Sequence, residues 1–148
     1  MKHLRPILAL LLLLSITLAQ AEDTKEQKQA AGAKAASNFL ALLDNGKYND
    51  AWKQLSPSQQ PNGSKDKWQS DVGRYRKQIG KLHDRKILGV SYTTQLPGGG
   101  DPGEYVIVTV LSSYERLGSA LEIVVPQLLP NGTWVISGYS IKPADATE

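Results

Sequence analysis

Few residues in this chain have the type and spacing for chemistry. His83 and Asp84 are adjacent, Glu104 and Glu122 sit among strand-forming residues, and residues 98–103 are rich in glycine. The matching chemistries would be a His–Asp dyad, a carboxylate in an apolar pocket whose pKa is lifted by burial toward working pH, and a phosphate cradle. Each has a plainer reading. Adjacent residues on a helix do not face each other, so His83 and Asp84 read as a solvated helix end with histidine near its negative pole. Glu104 and Glu122 each fall at the start of an expected strand, where charge is usually solvent-exposed. The glycine run joins two strands and lacks a following Gly-Lys-Ser/Thr, which makes it a hairpin loop rather than a phosphate cradle. There is no G-x-S-x-G elbow for a nucleophilic serine. Cysteine is absent and the acids are scattered, so no tight metal site is expected. The reading assigns no catalytic residue, metal or cofactor.

The 148 residues hold 17 Lys and Arg against 14 Asp and Glu, two histidines and no cysteine, and 41% are apolar. That is the composition of an ordinary globular domain, with disulfide frameworks and thiolate chemistry excluded. Lys2 and Arg5 precede an apolar stretch of about 13 residues ending in Ala19-Gln20-Ala21. A bilayer span needs about 20 residues, so the segment reads as an export signal cleaved after Ala21 rather than an anchor. The mature chain then has 127 residues, His83 as its one histidine and a net charge of +1. Small secreted domains of eukaryotes usually lean on disulfides, so their absence favours a bacterial envelope, periplasmic or secreted. Asn62-Gly63-Ser64 and Asn131-Gly132-Thr133 match the glycosylation pattern, but each also reads as a plain turn.

The elements that must position these residues follow from periodicity. After a polar stretch over 22–30, apolar residues Ala31, Ala35, Phe39 and Leu42 recur at helical spacing, and Asp44-Asn45-Gly46 closes a first helix over about 23–43. Tyr48, Trp52 and Leu55 mark a second over 48–55. Trp68, Val72, Tyr75, Ile79 and Leu82 mark a third over 64–82, with Ser64 as N-cap. That third helix also carries an excess of five positive charges from 65 to 86. The period then switches to two, predicting antiparallel strands at about 87–95, 104–114, 120–129 and 133–142. Asn131-Gly132 is expected to make a two-residue hairpin with both residues at positive φ. Pro126 marks an edge position or a bulge, and Gly138 a bend. The fold class is α+β: one domain over 31–142, with helices on a curved four-stranded sheet and a short tail over 143–148. The third helix is the expected cover, leaving a cone and a potential pocket between helix and sheet.

Leu43-Asp44-Asn45-Gly46-Lys47-Tyr48, Ala51-Trp52, Arg76, Gly80, Arg85, Leu96-Pro97-Gly98, Gly103-Glu104-Tyr105-Val106, Glu122, Asn131-Gly132-x-Trp134 and Gly138-Tyr139 resemble the bacterial domain of unknown function 4019 family. The resemblance covers about residues 31–142. It implies a short exported α+β protein of cystatin-like or nuclear-transport-factor-like type with no attached activity. The loop after Leu96 carries more glycine than the family pattern leads one to expect.

The functional expectation is an exported binding or interaction domain, monomer or homodimer, whose partner is an envelope protein or a small apolar ligand. Tyr75, Tyr105, Glu122, Trp134 and Tyr139 are the residues for a pocket, although aromatic residues at such positions more often form core. A second possibility is a cone-type isomerase, dehydratase or hydrolase acting on an apolar small molecule. A third is an anionic envelope partner held by Arg74, Lys77 and Lys81, against the plainer reading of a solvated helix face. Nucleic acid is not expected. Arg76 and Arg85 are read as braces that tie the helix to strand carboxylates such as Glu104 or Glu122.

Overall fold

The computed structural model describes residues 23–60 and 64–145. The expected signal segment 1–21, and Asn62 and Gly63 of the first glycosylation pattern, lie outside the described residues. Three helices, α1 (Lys25–Asp44), α2 (Tyr48–Gln54) and α3 (Lys65–Ile79), precede four strands, β1 (Leu82–Thr93), β2 (Glu104–Tyr114), β3 (Gly118–Leu128) and β4 (Trp134–Pro143). The strands form one antiparallel sheet in the order β1-β2-β3-β4. This is the expected α+β arrangement. No helix among the described residues is long and apolar enough to cross a membrane.

The cover of the sheet is α1, not α3. Thr24 starts α1 through a capping box with Gln27, satisfying two orphan backbone donors. Its end is a Schellman motif: Gly46 N–H donates to Leu43 O at 3.2 Å, Lys47 N–H donates to Leu42 O at 2.8 Å, and Gly46 sits at φ +68°. Between these caps α1 lies across all four strands. Small residues on its inner face explain why it can. A Cβ placed on Gly32 would stand 2.6 Å from the Val106 side chain, so only glycine lets helix and sheet approach this closely there. Phe39, Leu40 and Leu43 of α1 then meet Val106, Val108, Val110, Val124 and Ile136 of the sheet, all buried. Burial of each such side chain stabilises by roughly 1.5–3 kcal/mol. The inward residues of β2 alternate from Val106 to Tyr114 as period two requires. The apolar stripe of α3 instead packs on α2, with the rings of Trp52 and Trp68 5.5 Å apart, and reaches the sheet at its C-terminal end through Ile79.

Helix α3 stops at Ile79 rather than near 82. Its last four carbonyls are all taken by other donors. Gly80 N–H donates to Arg76 O, the Arg116 side chain to Lys77 O and Gln78 O, and the backbone N–H groups of Arg116 and Leu117 to Ile79 O. The tip of the β2–β3 hairpin therefore caps the helix from a distance, and Gly80 at φ +84° turns the chain into β1. His83, Asp84 and Arg85 consequently belong to a strand, and His83 falls at a register shift between Leu82 and Asp84.

Two further turns differ from, or refine, the sequence expectation. No residue other than glycine has positive φ among the described residues, so Asn131 does not adopt the conformation of a two-residue hairpin. Gly132 N–H donates to Leu129 O at 2.9 Å and Leu129 N–H donates to Thr133 O at 2.9 Å, with Gly132 at φ +83°. That is a type I turn over Pro130 and Asn131 followed by a left-handed glycine, because proline at the first central position favours type I. Pro126 lies in an interior strand, where the ladder tolerates its missing N–H at the register shift between Val125 and Pro126.

Candidate functional site

One end of the helix–sheet interior is ionic. Asp44 is the last residue of α1, Arg76 is on α3, Arg85 on β1, Ser112 and Tyr114 on β2, Glu122 on β3 and Tyr139 on β4. Every strand and two of the three helices contribute. Glu122 is 0% exposed, against its expected exposure at a strand start. The strand begins at Gly118, and Glu122 points inward in phase with Ala120 and Val124. Both its oxygens are occupied. Oε1 accepts from Ser112 Oγ at 2.5 Å, Tyr114 Oη at 2.8 Å and an Arg85 Nη at 2.8 Å, and Oε2 accepts from Tyr139 Oη at 2.6 Å and an Arg76 Nη at 3.4 Å.

Asp44 balances the second arginine. Arg85 donates to both Asp44 oxygens, at 2.5 and 3.2 Å, and Arg76 donates to Oδ1 at 2.8 Å. The two guanidinium groups also donate to Tyr114 Oη at 2.8 Å each, and Arg76 to Tyr139 Oη at 2.7 Å. Two cations and two anions cancel, and no buried side-chain polar atom among the described residues lacks a partner. This is the condition under which buried charge is tolerated at all. The braces expected of Arg76 and Arg85 are thus present on Glu122. Glu104 is held by Lys28 instead, and also accepts from Tyr92 Oη at 2.8 Å.

The electrostatics follow from these contacts. Burial alone would raise the pKa of Glu122, but the hydrogen bonds from Ser112 and Tyr139 and the charges of Arg85 and Arg76 outweigh it and hold the carboxyl below its usual range. Burial pushes the Tyr114 phenol up to about 12, with the arginines opposing and Glu122 reinforcing, and it pushes Tyr139 up as well. Burial disfavours the charged form of both arginines, but it is outweighed, for Arg76 by Tyr139 and Tyr114 and then by Glu122 and Asp44, and for Arg85 by Asp44 and Glu122, so both are driven further toward the charged form. A carboxylate kept ionised, with five donors on two oxygens, has no free lone pair to take a proton from a substrate.

Outside this cluster lies a cleft of about 610 Å³ between the C-terminal ends of α1 and α3, the start of α2 and the β2–β3 turn. Leu43, Tyr48, Gly73 and Leu82 supply apolar wall, Asp44 and Arg76 connect it to the ionic cluster, and Lys77 and Lys81 line it. Of the residues expected on a basic face, Lys77 and Lys81 therefore come together here. Arg74 does not: it is exposed and paired with Asp71 at 3.1 Å. The Asp71 carboxyl is held below its usual range chiefly by the hydrogen bond from Lys67.

The five residues expected to line a pocket are dispersed. Glu122 and Tyr139 meet in the ionic cluster. Tyr75 packs beside Ile79 and Tyr114, and Trp134 against the aliphatic core. Tyr105 is buried at the far end of β2, its hydroxyl donating to Asp101 O at 3.0 Å. His83 and Asp84 are exposed on β1. Among the described residues, no three His, Cys, Asp or Glu side chains converge as metal ligands. Asp44, Ser112 and Tyr114 were not singled out from sequence. Asp44 reads there as part of a helix stop and of the family-like motif, with no role attached, whereas Ser112 and Tyr114 share the parity of Val106, Val108 and Val110 and are traceable by that signal.

No curated protein and no solved structure matches the chain. Residues 35–139 match the family model described as protein of unknown function (DUF4019). Asp44, Arg76, Arg85, Glu122 and Tyr139, all among the residues that carry the sequence resemblance, are the ones the fold gathers into the ionic cluster. With most of its length covered by that model, the chain belongs to the DUF4019 family of proteins of unknown function.

Proposed function

We propose that this chain is an exported, envelope-resident binding or interaction domain that performs no acid–base chemistry of its own. The observation that carries this reading is the saturation of Glu122. A cone-type isomerase or dehydratase needs a buried carboxyl lifted toward neutral pH and open to a substrate. Here the one fully buried carboxylate among the described residues is shifted the other way and is enclosed by Ser112, Tyr114, Tyr139 and two arginines. The aliphatic half of the same interior is filled by Phe39, Leu40 and the valines of β2 and β3. Binding capacity then lies on the surface, at the cleft beside α3. Export is supported by the basic, then apolar, then small-residue pattern of residues 1–21.

Two experiments test the two parts. Expressed with its own N-terminus, the protein is expected in the periplasmic fraction with Glu22 as its first residue; an intact chain retained in the cytoplasm contradicts export. Crosslinking in the envelope is expected to trap a partner or ligand equally well with wild type and with a folded Glu122→Gln variant. Loss of that capture in folded Glu122→Gln would return Glu122 to the functional site.

A further inference from the structure

The cleft beside α3 has a charge arrangement that the ionic cluster does not account for. Its acids are already engaged: Asp44 by Arg76 and Arg85, and Glu115 by the Lys81 backbone N–H at 3.2 Å, with Arg116 at 3.6 Å. Lys77 and Lys81 are not. Neither ammonium group makes an ion pair or a side-chain hydrogen bond among the described residues, although Glu115 feels Lys81 from further off. Lys77 stands in the last turn of α3, where a lysine ordinarily serves the carbonyls of the helix end. Arg116 has taken that role, donating to the carbonyls of Lys77 and Gln78. The Schellman motif likewise closes the end of α1. The two negative helix poles that border the cleft are thus covered by N–H donors, and two cations are left over.

The cleft also has apolar lining. Leu43, Tyr48 and Leu82 supply it, and Gly73 lets the Tyr48 ring lie close, since a Cβ there would stand 3.1 Å from the ring. A volume of about 610 Å³ falls within the range of small-molecule sites and far exceeds a bare phosphate. We propose that this cleft binds a small organic anion with an apolar body, its carboxylate or phosphate headgroup held by Lys77 and Lys81 and its body against Tyr48, Leu43 and Leu82. The proposal rests on the reading of the chain as a binding domain and names the ligand class of its site.

The test uses the mature protein in phosphate-free, low-salt buffer, with decyl phosphate and decanoate below their micellar concentrations. Decanol and inorganic phosphate are the single-feature controls. Both amphiphiles are expected to bind by calorimetry and to shift the backbone amide resonances of Gly46, Gly73 and Gly80. Each control should bind about tenfold more weakly or worse, because each lacks one of the two contacts. The Lys77→Glu, Lys81→Glu double variant should lose about tenfold or more in affinity while keeping its circular dichroism spectrum, and Arg74→Glu should change nothing. Equal loss in Arg74→Glu would mean a diffuse surface field and overturn the site. So would amphiphile binding indifferent to the lysines, or binding confined to phosphatidylglycerol vesicles and absent with monomeric decyl phosphate. Should the crosslinking experiment trap a partner that is untouched by Lys77→Glu, Lys81→Glu, the binding-domain reading stands and only the cleft assignment falls.

Discussion

The interior between α1 and the sheet has two halves that are built by opposite means. Toward one end, Gly32 and Ala36 bring the helix close enough for Phe39 and Leu40 to pack on Val106, Val108, Val124 and Ile136. Toward the other, the same helix ends in Asp44, and the sheet presents Arg85, Ser112, Tyr114, Glu122 and Tyr139, with Arg76 inserted from α3. The aliphatic half gains from removing apolar area from water, whichever neighbours supply the contact. The ionic half is tolerated only while every partner is present, because each charge taken from water costs several kcal/mol that its neighbours must offset. Packing therefore supplies stability that is graded, whereas the cluster supplies a condition that is all or none. Its seven residues come from six elements, so it also fixes how α3 sits relative to the sheet edge.

Substitutions can break this contrast, and the largest effects are expected at Glu122 in the ionic half and at Phe39 in the aliphatic half. Glu122→Leu leaves two buried guanidinium groups facing Asp44 alone and should cost about 3–5 kcal/mol in urea unfolding. The same change combined with Arg76→Met should cost less than the sum of the two, a coupling that a double-mutant cycle reads directly. Phe39→Ala in the aliphatic half should cost about 3–5 kcal/mol through lost burial and a cavity, yet remain additive with Glu122→Leu if the halves are independent. Gly32→Ala places a methyl against Val106 and should cost about 1–3 kcal/mol by overpacking. Smaller still, Arg116→Ala uncaps two carbonyls of α3 and should cost about 1 kcal/mol, seen as earlier fraying of residues 77–79 in amide exchange.

The pH dependence sharpens the same contrast. The folded pKa of Glu122 lies below its unfolded value of about 4.3, so its contribution is complete above that pH and is lost as pH falls through the folded value. Tyr114 works in the other direction. Its folded pKa of about 12 exceeds the unfolded value of about 10, so its contribution is complete below pH about 10 and disappears as pH rises toward about 12. Urea midpoints should therefore fall at both extremes. Glu122→Gln should flatten the acid limb and Tyr114→Phe the alkaline limb, while Phe39→Leu should leave the shape of both unchanged.

Legibility in the sequence divided along the same line. Periods of 3.6 and two located all seven elements, because burial of apolar side chains writes itself as spacing. The aliphatic core could be read from Phe39, Leu40 and the alternating valines. The ionic half is legible only in part, since the arginine braces can be expected but Asp44, Ser112 and Tyr114 look like ordinary residues until their partners are known. Arg76 and Arg85 are legible as braces toward a strand carboxylate, but the choice of Glu122 over Glu104 and the burial of Glu122 are not. The end of α3 was misjudged because its cap comes from Arg116, 37 positions beyond Ile79. That is a tertiary contact with no local signature. The cover role of α1 was hidden for a related reason: a helix that approaches a sheet through Gly32 and Ala36 shows a weaker apolar stripe than α3, whose large side chains serve α2.

The claim on which the account turns is that Glu122 is a structural anion rather than a reactive carboxyl. A carbon-13 NMR titration of its side-chain carboxyl, in folded protein and followed downward from neutral pH, tests it most directly. The account predicts a resonance that stays in the ionised position through pH about 4.3, the ordinary glutamate value, and moves only at lower pH or on acid unfolding. A titration midpoint above that value would contradict it.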